Sequence, residues 1–257
     1  MCDPFPIYKY FEILKNTLVE LDLNDNPKQI WNLDETSLCV DPSRVKVLGA
    51  KGKPCSRTTS GPGKENVTIL TAANAFGDKV PACIVFKGKF VWDQWMATQD
   101  PDNLDIAYAA TPNGWMETDV FVNFLKNTFL NAVGQQRPLL LIYDGHSTHV
   151  NTKVIELARE NDITILKLPP HTSHLLQPLD LSVFKSFKTE WDKKLVAWQR
   201  RNQGIKMPKR TFSEHVRDVW YGTKPEIIQS GFWKAGIFPY KNDVVEEDKF
   251  HPDAYKR

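Results

Sequence analysis

The sequence predicts an α/β domain in which three antiparallel strands are followed by parallel ones in a mixed sheet flanked by helices. Three observations lead there. Strand-like segments at 29–40, 67–75 and 80–86 follow one another, the last two joined by the tight turn Gly77-Asp78, so the sheet opens antiparallel. The unbroken apolar run Leu139-Leu140-Leu141-Ile142-Tyr143 reads as a strand buried on both faces. It is followed closely by a helical segment at 152–161 and a strand at 163–168, a right-handed parallel crossover.

The remaining elements follow in order. Residues 7–22 have helical spacing of Tyr10, Phe11, Leu14, Leu18 and Leu21, and the stretch from Asn24 to Pro27 ends that helix. The turn Asp41-Pro42-Ser43 leads to a short strand at 45–48. A loop rich in Gly, Lys, Ser and Thr spans 49–64. Residues 87–117 show no clear period, but Trp92, Trp95 and Trp115 suggest a packed excursion. Phe121, Phe124, Leu125 and Phe129 lie on one face of a helix at 118–133. Pro169-Pro170 stops the second parallel strand. A helix begins near Pro178, where a first-turn proline is tolerated, with Phe184, Phe187, Trp191, Leu195 and Trp198 on one stripe. One or two short helices fill 211–240. The organisation is a helical lead-in at 1–27, a domain at 28–240 and a polar tail at 241–257, expected to fray.

Composition narrows the class without naming it. The 257 residues are 41% apolar and 25% charged, as in ordinary globular chains. No run approaches the roughly 18 apolar residues of a membrane helix, and the first residues lack signal-peptide character. The net charge of +2 does not announce a polyanion binder, yet basic residues thicken between Lys185 and Arg210. Lys193-Lys194 and, eleven residues on, Lys206-Met207-Pro208-Lys209-Arg210 have the spacing of a bipartite nuclear import signal. A solvated helix face followed by a basic loop is the plainer reading. Cys2, Cys39, Cys55 and Cys83 form no CxxC pair and read as reduced thiols.

Three aspartates carry the chemistry. Asp34 lies mid-strand, on the face of Ile30 and Asn32; Asp144 ends the buried strand, at the edge where ligands of open α/β sheets bind. Asp180 lies four residues before Phe184 on what reads as a core-facing helix stripe. Singly, each is as well explained as a satisfied strand acid, a turn residue or a helix cap. Together, acids ending a buried strand and lying on an apolar stripe are costly unless paired or metal-bound. Oxygen ligands without cysteine suit Mg2+ or Mn2+, with two ions expected. The rival signal is the two HxxH pairs, His146/His149 and His171/His174, which could hold zinc but lack the usual cysteine. Hydrogen bonding to the carboxylates, contact with phosphate or loop closure suits these imidazoles better.

The motifs Asn32-Leu33-Asp34-Glu35-Thr36, Asn113-Gly114-Trp115-Met116, Asp144-Gly145-His146-Ser147-Thr148-His149 and Leu176-Gln177-Pro178-Leu179-Asp180, in this order, resemble the catalytic domain of pogo-type transposases. Val183-Phe184-Lys185 and Gly236-Ile237-Phe238-Pro239 extend the likeness to residues 28–240. That group lies within the mariner superfamily and includes centromere-binding and jerky-like relatives. The resemblance implies a ribonuclease H-like fold and a metal-binding triad of Asp34, Asp144 and Asp180. Glu35, His146, His149 and Gln177, inside the same motifs, and His174, two residues ahead of the last, are its supporting residues. It implies two-metal cleavage and strand transfer of DNA, a nuclear location, and DNA and a second copy of the chain as partners. The alternative is a domesticated, non-catalytic nucleic-acid-binding protein. Full-length relatives carry helix-turn-helix domains ahead of this one, and residues 1–27 are too few for such a module. Specific recognition of transposon ends is therefore not expected of this chain.

Overall fold

The computed structural model describes residues 3–40, 51–52, 66–100, 105–145, 151–203 and 205–250. The expected strand at 45–48, nearly all of the 49–64 loop, His146, His149 and residues 251–257 lie outside them. Among the described residues, β1 (Ile30–Cys39), β2 (Asn66–Asn74), β3 (Cys83–Lys87), β4 (Ala107–Thr111), β5 (Leu139–Tyr143) and β6 (Ile163–Lys167) form one sheet. Their spatial order is β4-β3-β2-β1-β5-β6.

The first three strands are the antiparallel meander, and β1, β5 and β6 run parallel, as expected. β3 starts at Cys83, later than the apolar pattern implies, because Pro81 has no N–H for the ladder. β4 is an addition: the unplaced stretch 87–117 holds a strand parallel to β3. Ala107-Tyr108-Ala109-Ala110-Thr111 carries little β propensity of its own, so pairing with β3 decides its conformation. The excursion before it is packed through Trp95, whose ring meets Phe86 edge-on at 5.5 Å. Trp92 and Trp115 are exposed, contrary to expectation.

Helices cover both faces. On one, α1 (Pro4–Glu20), α6 (Phe184–Arg201), α7 (Lys209–Gly222) and α8 (Pro225–Lys234) pack on Ile30, Ile69, Ile84, Leu140 and Ile142. On the other, α2 (Thr118–Phe124) and α4 (Thr152–Glu160) cover Leu33, Leu70, Val85 and Leu141. α1 begins before residue 7 because Asp3 caps it, its carboxylate accepting from the Phe5 amide at 3.1 Å. The expected single helix at 118–133 is interrupted: α2 widens into a π-turn, Leu125–Phe129, before the short α3 (Leu130–Ala132). Residues 241–250, expected to fray, pack back on α1, where Phe250 is buried and meets the Tyr8 ring at 5.9 Å.

Candidate active site

Side-chain alternation along β1 turns Asn32 and Asp34 toward the α6 face and Leu33 and Glu35 away from it. The parallel register pairs Ile30 with Leu140 and Asn32 with Ile142. Two residues further along each chain stand Asp34 and Asp144, on strands spaced about 4.8 Å apart. Asp144 follows the last residue of β5, at the carboxyl edge of the parallel strands.

Asp180 arrives from the other layer. α5 (Ser173–Leu176) stops at Gln177-Pro178, and the chain turns into a second π-turn, Leu179–Val183, that runs on into α6. Gly231 on α8 makes room for that entry, because a Cβ there would stand 2.3 Å from the Pro178 carbonyl oxygen. Buried side chains lock the junction to β1. Asn32 Nδ2 donates to the Ile142 carbonyl at 2.8 Å and to Gln177 Oε1 at 3.0 Å, while its Oδ1 accepts from the Leu179 amide at 3.2 Å. Gln177 Nε2 in turn donates to the Leu33 carbonyl at 3.1 Å. The three acids are therefore each within two residues of one hydrogen-bonded knot.

The acids sense one another. Burial pushes the Asp34 carboxyl well above the usual carboxylate range, and Asp180 raises it further; the Glu35 amide and the nearby Gln177 ease it, and Asp144 raises it again. For Asp180 the upward push comes first from desolvation of its carboxyl, opposed by Lys188, reinforced by Asp144 and opposed by His174. Asp34 is more enclosed than Asp180. Its Oδ1 accepts from the Glu35 amide at 2.7 Å, and its buried Oδ2 has no hydrogen-bond partner.

Two placements differ from the sequence reading. Asp180 does not lie on the core stripe: Leu179, Val183, Phe184 and Phe187 form it, and Asp180, one residue off, is exposed at its rim. Glu35 faces the opposite side of the sheet, toward Cys83, whose thiol is pushed up to about 12 by burial and by Glu35. It does not join the acids. Gln177 and His174 do reach the site, Gln177 as the core of the knot and His174 through its field on Asp180. Asn32, given no role from sequence, is the most connected polar side chain there; its signal was an amide on an apolar strand face two residues before Asp34.

Donor chemistry fits a hard divalent cation. The ligands offered are carboxylate oxygens, and the unpartnered Oδ2 of Asp34 is a buried lone-pair site that a cation would satisfy. Among the described residues, no three His, Cys, Asp or Glu side chains already stand close enough together to grip an ion.

The mixed sheet of this order, with helices on both faces and acids at the carboxyl edge of its parallel strands, is a ribonuclease H-like fold. Residues 64–232 match the family described as DDE superfamily endonuclease, and the chain belongs to that family. Asp144 and Asp180 fall inside the matched stretch and Asp34 precedes it. Its relatives place it with pogo-type transposases. It is 27% identical over 232 residues to the human protein named Pogo transposable element with KRAB domain, covering 86% of this chain and 36% of that one. It is 24% identical over 232 residues to CENP-B homolog protein 2 of Schizosaccharomyces pombe, covering 83% and 42%. A higher identity, 32% over 225 residues, is to a Cochliobolus lunatus protein named MFS-type transporter clz9, covering 85% of this chain but 24% of that one. No helix among the described residues is long and apolar enough to cross a membrane. The chain spans less than half the length of these curated relatives. Among solved structures, the Mos1 strand transfer complex shares the fold, with a TM-score of 0.58 and 12% identity over 91% of this chain and 60% of that one.

Proposed function

We propose that this domain cleaves and joins DNA strands with divalent metal held by Asp34, Asp144 and Asp180. One observation carries the reading: the carboxylates of β1, of the end of β5 and of the entry to α6 meet at a single sheet edge, near enough that Asp180 and Asp144 raise the proton affinity of Asp34, and Asp144 that of Asp180. Acids so arranged are unfavourable without a counter-charge. Asp34 offers its buried Oδ2, Asp144 a carboxylate at the strand end, and Asp180 an exposed carboxylate. Bound there, Mg2+ or Mn2+, two ions in this reading, would neutralise phosphate charge and activate water or a 3′-hydroxyl for in-line attack.

The chain's own residues set the stage. Asn32 and Gln177 hold the acid-bearing elements in register, and His174 and Lys188 lower the charge cost at Asp180. His146 and His149, next along the chain from Asp144, complete the supporting set. DNA as substrate, a second copy of the chain as partner and a nuclear location belong to the same proposal. Support comes from the transposase relatives and from a structural neighbour solved as a Mos1 mariner paired end complex with Mn.

Nicking of supercoiled plasmid tests the reading. Native protein should convert it to open circles with Mg2+ or Mn2+, and Asp144→Asn should lose that activity. Equal behaviour of the two proteins removes the catalyst. DNA binding without nicking by the native chain would instead favour a non-catalytic nucleic-acid-binding protein.

A further inference from the structure

The outward side of α6 borders a groove of about 720 Å³ that begins at Asp180 and passes Lys185, Lys188, Asp192 and Lys193 to reach Arg200. A charge run on a helix is most often a solvated face. Three features set this one apart. First, α6 carries six cations against Glu190 and Asp192, and four of the six line this one groove. Second, the cation outside it that forms an ion pair is neutralised locally: Lys194 pairs with Asp218 at 2.7 Å. Within the groove Lys193 is shared with Glu190, but Lys185, Lys188 and Arg200 form no ion pair among the described residues. Third, one end of the groove is an acid of the candidate site, and Lys188 lies near enough to act on it.

The helix is also held rigidly where this matters. Phe184, Phe187, Trp191 and Leu195 bury its opposite stripe, and Trp191 Nε1 donates to the Cys39 carbonyl at the end of β1 at 3.0 Å. Its 18 residues span about 27 Å, the length of about eight base-pair steps.

We propose that this groove is a phosphate track in which Lys185, Lys188 and Arg200 hold the backbone of duplex DNA leading away from the acids, without reading bases. The track rests on the acids being a phosphodiester site; it adds where the rest of the duplex lies.

The test is the salt dependence of binding to a short duplex, followed by fluorescence anisotropy in EDTA, so that no cleavage occurs. Removing three phosphate contacts should lower the magnitude of the slope of log K against log salt by about 2.7. The variant is Lys185→Gln/Lys188→Gln/Arg200→Gln. Its control, Lys9→Gln/Lys15→Gln/Lys126→Gln, removes equal charge from exposed sites on α1 and the first π-turn, and should leave the slope nearly unchanged. Lys185→Arg/Lys188→Arg should retain the native slope, which excludes misfolding as the cause of any loss. Equal losses in the two triple variants, an unchanged slope in the first, or no salt-dependent binding by the native chain would each overturn the track. Metal-dependent nicking with an unchanged slope would reject the track and keep the catalyst; a lost slope without nicking would do the reverse.

Discussion

Asn32 and Gln177, 145 positions apart, hold each other inside the core, Asn32 Nδ2 donating to Gln177 Oε1 at 3.0 Å. The pair joins β1 to the junction that delivers Asp180, while Asn32 also binds β5 just before Asp144. Asn32→Leu orphans the Leu179 amide and half of Gln177, and should cost about 2–4 kcal/mol in urea denaturation. Gln177→Leu should cost a similar amount. Because the two share one network, the double variant should fall short of the sum by about 1 kcal/mol or more. Strict additivity would show that the pair is not a unit.

Asp34 makes the metal-free protein sensitive to pH. Its folded-state carboxyl is raised by burial and by Asp180, whereas in the unfolded chain it ionises near pH 3.9, roughly the value in model peptides. Between those two values the folded state holds the extra proton, so stability falls as pH rises through the window. In EDTA, Asp34→Asn should melt at a higher temperature than native protein at pH 7, with the gap closing toward pH 4. A gap that widens on acidification contradicts this.

Gly231 should matter to chemistry without touching substrate. Its missing Cβ seats the Pro178 carbonyl at the entry to the π-turn that carries Asp180. Gly231→Ala should cost about 1–3 kcal/mol from overpacking and slow cleavage by displacing Asp180. DNA affinity in EDTA should hardly change, and an equal loss of affinity would point to general unfolding.

Lys79 closes the far end of α7. Its ammonium donates to the carbonyls of Trp220, Tyr221 and Thr223 at 3.0, 2.9 and 2.7 Å, at a helix end where carbonyls outnumber amide donors; of the three, Trp220 also accepts from the Thr223 amide. Lys79→Met should lower stability by about 1.5–3 kcal/mol while leaving cleavage at low temperature intact, because its three bonds go to the end of α7 and not to the acids.

Periodicity reveals those parts of the fold that depend on apolar alternation: the meander, the buried β5 and the stripe of α6. It misses β4, since an alanine-rich strand takes its conformation from its neighbour. It also misses the π-turns, because a single widened turn hardly disturbs a helical pattern. That blindness misplaced Asp180, assigned to the core stripe but lying at its rim. Glu35 illustrates the opposite case: strand alternation already separated it from Asp34, and the sheet places it on that other face, near Cys83. Asn32 needed the third dimension, since its partners lie 110 and 145 residues away.

The central claim is that Asp34, Asp144 and Asp180 together hold divalent metal. Mn2+ binding followed by electron paramagnetic resonance tests it without any need for turnover. Native protein should retain Mn2+, and Asp34→Asn, Asp144→Asn and Asp180→Asn should each weaken binding at least about tenfold, the loss of roughly 1.4 kcal/mol. Undiminished Mn2+ binding in all three variants would contradict the claim.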